Sequence, residues 1–289
     1  MEKKYRSATT QRKVTNILVH LFLVVLSLIW IFPIFWVVLL SFRVQKGQYI
    51  TSFLPSQLTL DNYVKLFTDT AIFNFPRWFM NTLFISICSC IITTFFVLAI
   101  SYVLSRLRFK IRKPYMNIAM ILGMFPGFMS MIAIYYILKG FSLTEGPFIY
   151  LALILVYSGS AGLEFYVAKG FFDTIPRALD EAAIIDGATK WDVFSKIIMP
   201  LSKPIVVYTI LKAFMAPWLD FIFAKVIAGA DPRYYTVAIG LYTMLNKENI
   251  MNWYAPFAAG AVCVSIPIAI LFIYLQRFYA DGLSGAVKG

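Results

Sequence analysis

Residues able to do covalent chemistry are few in this chain, and their types exclude more than they promise. There is one histidine, His20, and there are three cysteines, Cys88, Cys90 and Cys263, each inside an apolar run. The cysteines have no metal-type spacing and no evident disulfide partners, so they read as small core residues. His20 reads as an interfacial or packed side chain, which leaves metal sites and histidine-based catalysis with little support. No G-x-x-x-x-G-K-[ST] loop occurs, nor even the dipeptide Gly-Lys, so the chain cannot cradle ATP by that route. No H-E-x-x-H zinc motif occurs either. What stands out instead is Glu181-Ala182-Ala183-Ile184-Ile185-Asp186-Gly187, closed by Ile197-Ile198-Met199-Pro200. It is a polar, helix-forming segment between long apolar spans. A membrane protein that only conducts or anchors does not need such an insert, whereas one that takes force from a soluble partner does.

The elements that must position these residues follow from local chemistry. Residues 173–204 read as two short helices. Pro176 suits the first turn of the first, with Asp173 or Thr174 nearby as a cap. Ala178, Leu179, Ala182, Ala183 and Ile185 are good helix formers with an apolar stripe, and Gly187 is placed to end the helix in a left-handed turn. Thr189 and Asp192 resemble a capping box, with Asp in place of Glu, for a second helix. That helix carries Trp191, Phe194, Ile197 and Ile198 at helical spacing, and Pro200 marks its end. The result is an elbow whose small face, Ala182 and Ala183, can approach another protein. Asp180, Glu181 and Asp186 can fix its register there. Periodicity alone leaves open an amphipathic pair lying on a membrane surface.

Composition fixes the solvent. The 289 residues are 60% hydrophobic and 14% charged, more apolar surface than a soluble domain can hide. We place six spans at about 16–42, 79–104, 115–138, 147–168, 205–228 and 254–278, using a length of roughly 20 residues per crossing. The first is too long for a signal-peptide core, and no Ala lies between Thr9 and Thr70 to form a cleavage site. The net charge is +12. Basic residues crowd the N-terminal segment (Lys3, Lys4, Arg6, Arg12, Lys13), the second connection (Arg106, Arg108, Lys110, Arg112, Lys113) and the fourth (Lys169, Arg177, Lys190, Lys196, Lys203). The positive-inside bias therefore places both termini, and the Glu181 segment, in the cytoplasm. No solvated basic domain exists for nucleic acid. Pro33, Pro126, Pro217 and Pro267 fall within spans and can bend them, and Gly123 with Gly127 forms a GxxxG packing pair.

Glu181-Ala182-Ala183, Gly187, Ile197 and Met199-Pro200 resemble the EAA signature of permease subunits of ATP-binding-cassette importers, departing only in Met199 for Leu. The flanks Gly170-Phe171-Phe172-Asp173-Thr174-Ile175-Pro176 and Leu201-Ser202-Lys203-Pro204 are similar to sugar-importing members. So are Asp220-Phe221-Ile222-Phe223-Ala224, Tyr235-Thr236-Val237-Ala238-Ile239-Gly240 and the ending Gln276-Arg277-Phe278-Tyr279 through Gly289. These look like the smaller permease of maltose and maltodextrin importers. The resemblance implies an all-α membrane protein of the bacterial cytoplasmic membrane, with six spans (16–278) between a cytoplasmic segment (1–15) and a Gly-rich tail (279–289). It implies a second homologous permease, two cytoplasmic ATPase subunits holding ATP and magnesium, and an extracellular sugar-binding protein. No cofactor would be bound by this chain. Glu181, Ala182, Ala183, Asp186, Gly187, Ile197 and Pro200 would couple to an ATPase. Gly285, Lys288 and Gly289 would reach between the ATPases, a stretch that sequence physics alone reads as a frayed terminus.

Sugars are held by stacking on aromatic faces and by hydrogen bonds. Intramembrane candidates for the substrate path are Trp218 and Asp220, with Phe214 one turn before. Asp220 could instead pair with Lys225, and Glu164 could pair with Lys169 or face a cavity mouth. Malto-oligosaccharide is the substrate the resemblance favours, with galacto-oligosaccharide close behind. An ion-coupled carrier would need buried relay groups and an inverted repeat, and neither is evident.

Overall fold

The computed structural model describes residues 8–44, 47, 52–55, 57–159 and 164–286. Among them there is no strand, only an isolated bridge between Arg43 and Leu58. The chain divides into two compact units, Met1–Thr68 with Met244–Val262, and Asp69–Thr243 with Cys263–Gly289.

The first unit holds α1 (Ala8–Ser41), α2 (Asp61–Thr68) and the start of α14 (Ile250–Ala286). Its polar centre is Arg43, 2% exposed, whose guanidinium donates to the carbonyls of Ser52 at 2.9 Å and Phe53 at 2.6 Å. Asn62 donates to the Ser41 and Arg43 carbonyls, which fixes α2 against the end of α1. Lys65 lies over the Trp253 ring at 4.4 Å and donates to the Asn252 carbonyl.

The second unit is organised on α3 (Phe75–Arg106). Asn74 caps its first turn by accepting from the Arg77 amide, and Pro76 tolerates a position where no intrahelical donor is needed. Its buried face is lined with small hydroxyls, Thr82, Ser86, Ser89, Thr93, Ser101 and Ser105, which let neighbouring helices approach closely in lipid. Ser101 donates to the Phe165 carbonyl of a neighbouring helix at 3.0 Å. The unit also holds α4 (Arg112–Gly123), α5 (Gly127–Gly140), α6 (Phe148–Gly159), α7 (Glu164–Thr174), α8 (Ala178–Ile185), α9 (Lys190–Asp192), a π-helix (Val193–Ile198), α10 (Met199–Leu201), α11 (Lys203–Leu219), α12 (Ile222–Ala228) and α13 (Val237–Met244), of which α6, α7 and α11 pack most extensively on α3. At the other end of α3, Asn81 donates to the Arg233 and Tyr235 carbonyls, and the Trp78 indole donates to the Pro232 carbonyl. A Cβ built on Gly240 would fall 1.9 Å from the Trp78 ring, so this packing requires glycine.

Among the described residues three helices are long and apolar enough to cross a membrane, Arg12–Ser41, Phe75–Arg106 and Ile250–Phe278, and up to six spans result if each bent helix pair counts as one. The sequence allows the spans to bend at Pro33, Pro126, Pro217 and Pro267, and the structure bends some of them. The third is broken by 100° between α4 and α5, with Pro126 as the residue before α5. Gly123 and Gly127 therefore end one helix and begin the next and do not form one packing face. The fourth bends by 42° between α6 and α7. The fifth stops at Leu219, where Asp220 turns to extended backbone and α12 starts afresh. Pro33 and Pro217, by contrast, lie inside α1 and α11. At the C-terminal end, α14 continues to Ala286, so Gly282 and Gly285 are helical in backbone. Lys288 and Gly289 lie outside the described residues.

Candidate functional site

The polar segment is knit by local motifs. α8 ends in a Schellman turn: the Ala188 amide donates to the Ala183 carbonyl at 2.9 Å and the Gly187 amide to the Ile184 carbonyl at 3.0 Å. Gly187 has φ +86°, a left-handed conformation that glycine adopts freely and side chains resist. A Cβ there would meet nothing within 4 Å, so the backbone, not crowding within this chain, demands glycine. Thr189 and Asp192 form a reciprocal capping box that starts α9. Hydrogen bonds from Lys196 and from Thr189 hold the Asp192 carboxyl well below the usual carboxylate range. The helix then widens to a π-helix over Val193–Ile198. Pro200, two residues beyond it, has no N–H for the Lys196 carbonyl. Pro200 does not end the rod, which continues to Leu201 and turns 82° into α11.

Long-range contacts then fix the segment to α3. Arg106, at the last turn of α3, pairs with Asp180 at 3.3 Å, both side chains largely buried. The same guanidinium donates to the Phe172 and Ile175 carbonyls at 3.0 Å. Arg177 donates back to the Ser105 carbonyl, and Ser105 donates to Asp173. Tyr102 donates to the Lys190 carbonyl and packs its ring on Phe194 at 4.8 Å. Val97, Leu98, Phe172, Val193 and Ile198 form the core beneath, and Ala183, Ala188 and Met199 pack against it.

These contacts divide the sequence-predicted residues. Ala183 faces this core and not outward, because it sits on the α8 face that meets the π-helix. Asp180 is committed to Arg106 and is not presented to a partner. Glu181, Ala182, Asp186, Gly187 and Pro200 are exposed, and Ile197 is half-buried. Ile184 is 57% exposed, Ile185 84% and Trp191 68%, an apolar edge on an otherwise charged rod.

A second polar site lies among the spans. A cavity of about 810 Å³ is lined by residues including Tyr115, Phe128, Glu164, Phe165, Lys212 and Asp220. Glu164 pairs with Lys212 at 3.0 Å and not with Lys169, which pairs with Asp173 at 2.5 Å. Asp220 does not pair with Lys225. Its Oδ1 accepts from the Phe223 amide, and its Oδ2 accepts from the Ala224 amide and, at 2.7 Å, from the Tyr157 hydroxyl. Lys225 donates to Tyr235 instead. Phe214 and Trp218 form an aromatic cluster with Phe79. Trp218 is 3% exposed, and neither of the two lines this cavity. Of the three substrate-path candidates, the cavity wall thus takes only Asp220. The Glu164–Lys212 pair was open to sequence reasoning only as two isolated charges in apolar runs.

A family model described as "Binding-protein-dependent transport system inner membrane component" matches residues 96–284. This chain belongs to that family. The permease is similar, at 33% identity, to the galactooligosaccharides transport system permease protein GanQ of Bacillus subtilis, the match covering 93% of this chain and 94% of that one. It is also 33% identical to the maltodextrin transport system permease protein MdxG of the same organism, over 98% and 100%. To the maltose/maltodextrin permease MalG of Escherichia coli it is 30% identical, over 96% and 97%. Its fold matches a bacterial ABC transporter involved in import of the acidic polysaccharide alginate, with TM-score 0.77 and 19% identity, over 96% of this chain and all of that one. The permease is accordingly a membrane-embedded subunit of an ABC sugar importer. It is a transport subunit and not an enzyme. ATP hydrolysis belongs to partner subunits, and the family works with a partner permease and a substrate-binding protein.

Proposed function

We propose that this permease moves a maltose- or maltodextrin-type oligosaccharide inward by alternating access, driven through residues 173–204. The observation that carries the coupling reading is the elbow from Ala178 to Leu201, two helical pieces joined at Gly187. Local caps shape it, ties to Arg106 and Tyr102 anchor it to α3, and an exposed edge of Glu181, Ile184, Ile185 and Trp191 faces away from this chain's core. Both termini and this rod lie in the cytoplasm, where a groove of one of two ATPase subunits receives Glu181, Asp186 and Gly187. Gly285, Lys288 and Gly289 reach between those subunits, which hold ATP and magnesium. A second homologous permease completes the path, and an extracellular binding protein delivers the sugar. ATP-driven closure displaces the rod, and the tie to α3 passes that displacement to the spans, shifting the population of inward and outward states.

Relatives that transport maltodextrin support the substrate reading. A galacto-oligosaccharide is the second reading, favoured by the GanQ relative at equal identity. The test is uptake of labelled maltotetraose and of a labelled galacto-oligosaccharide in cells with and without this gene. Loss of maltotetraose uptake, restored by the wild-type gene but not by Gly187→Trp, is the expected result. Loss confined to the galacto-oligosaccharide would replace the substrate, and uptake by Gly187→Trp at the wild-type rate would overturn the coupling role.

A further inference from the structure

We propose that the Glu164–Lys212 pair is a carbohydrate-binding site of this chain that takes adjacent hydroxyls of a neutral sugar. This rests on the importer reading above and deepens it.

The pair occupies the wall of the cavity of about 810 Å³, within the size range of roughly 300–1,000 Å³ typical of small-molecule sites. Glu164 is the first described residue of α7. Lys212 lies in the middle of α11. Charges at such depth are costly and pair with one another, and they mark substrate paths. Pairing accounts for one carboxylate oxygen, Oε1, at 3.0 Å from the ammonium. The other, Oε2, is buried without a hydrogen-bond partner. The Lys212 side chain is half-exposed, and an ammonium carries three donors. The pair therefore offers an acceptor and a donor side by side with no net charge.

A hydroxyl both donates and accepts. Two adjacent sugar hydroxyls match this arrangement, one donating to Glu164, whose side chain is 18% exposed, and its neighbour accepting from Lys212. The aromatic wall of Tyr115, Phe128 and Phe165 adds faces for the C–H side of a pyranose. Asp220 is already engaged by two backbone amides and Tyr157, which leaves it less acceptor capacity for a ligand. It does add a fixed negative charge to the same wall. A uronate would meet two carboxylates and one ammonium there, so the site fits a neutral sugar.

The test uses the assembled transporter in nanodiscs, with its ATPases trapped by ADP and vanadate, and reads labelled maltotetraose retained per complex. Glu164→Gln and Lys212→Met should each lower retained sugar at least tenfold while trapped nucleotide per complex stays at the wild-type level. A purely structural pair would lower sugar and nucleotide together, or neither, and both results overturn the site. Should Glu164→Gln fail to assemble, Lys212→Ala, at the half-exposed partner, gives the same decision. A wild-type complex that retains no maltotetraose would overturn the substrate reading and this site with it. Wild-type retention that persists in the variants would overturn the site alone.

Discussion

The elbow from Ala178 to Leu201, a rod jointed at Gly187, and the cavity at Glu164 both place charges in an apolar protein, yet they handle them in opposite ways. In the rod, polar groups are spent on architecture. Thr189 and Asp192 cap a helix, and Arg106 with Asp180 ties the rod to α3. What is left on the outside is an apolar edge, Ile184, Ile185 and Trp191, beside the exposed charges of Glu181 and Asp186. In the cavity, apolar residues build most of the wall, and the Glu164–Lys212 pair and Asp220 are set into it. The difference teaches how each region meets its partner. The rod presents a preformed shape to a protein, and the cavity presents hydrogen-bonding capacity to a small polar molecule.

Four changes would break or sharpen that contrast. The largest effect is expected of Gly187→Trp. It strains a φ of +86° by about 1–2 kcal/mol, and its ring projects into space that this chain leaves empty. Uptake should vanish while membrane insertion, read by protease accessibility, is unchanged. Arg106→Leu follows, because it strands a largely buried Asp180 at a cost of about 3–5 kcal/mol. Thermal unfolding in detergent should shift down, and coupling of ATP hydrolysis to uptake should fall. Gly240→Ala should cost about 1–3 kcal/mol by overpacking against Trp78. Because that contact lies away from both regions, stability should fall in a thermal-shift assay while sugar uptake per folded molecule holds. The smallest effect is expected of Thr189→Ala, about 1 kcal/mol from a lost cap. A modest fall in uptake with normal assembly checks it.

What was legible in the sequence follows the range of the interactions. The stop at Gly187 and the capping box at Thr189 and Asp192 depend on residues within five of one another, and they could be read directly. The six apolar stretches were legible from length and composition, but the 100° break at Pro126 was not, since proline inside α1 and α11 leaves those helices running. Pairings were the hardest part. Glu164 finds Lys212, Asp180 finds Arg106, and Asp220 finds Tyr157. Nearest-charge reasoning proposed Lys169 and Lys225 because it weighs sequence distance, whereas the bundle brings remote helices together. Ala183 was misdirected for the same reason: which side of a short helix faces inward depends on what packs there, here the π-helix and its core.

Of the three long apolar helices, α1 is the one its own chain covers least. Only 6% of its most apolar stretch is buried, and Trp30, Phe22 and Ile34 are largely bare. During synthesis this helix precedes every other described span, and it has almost nothing in its own chain to wait for. It can settle into lipid as an independent unit before its later neighbours are made, in keeping with insertion first and packing afterwards. The newborn chain is thereby tethered to the bilayer while the broken, charge-bearing spans behind it are still being assembled.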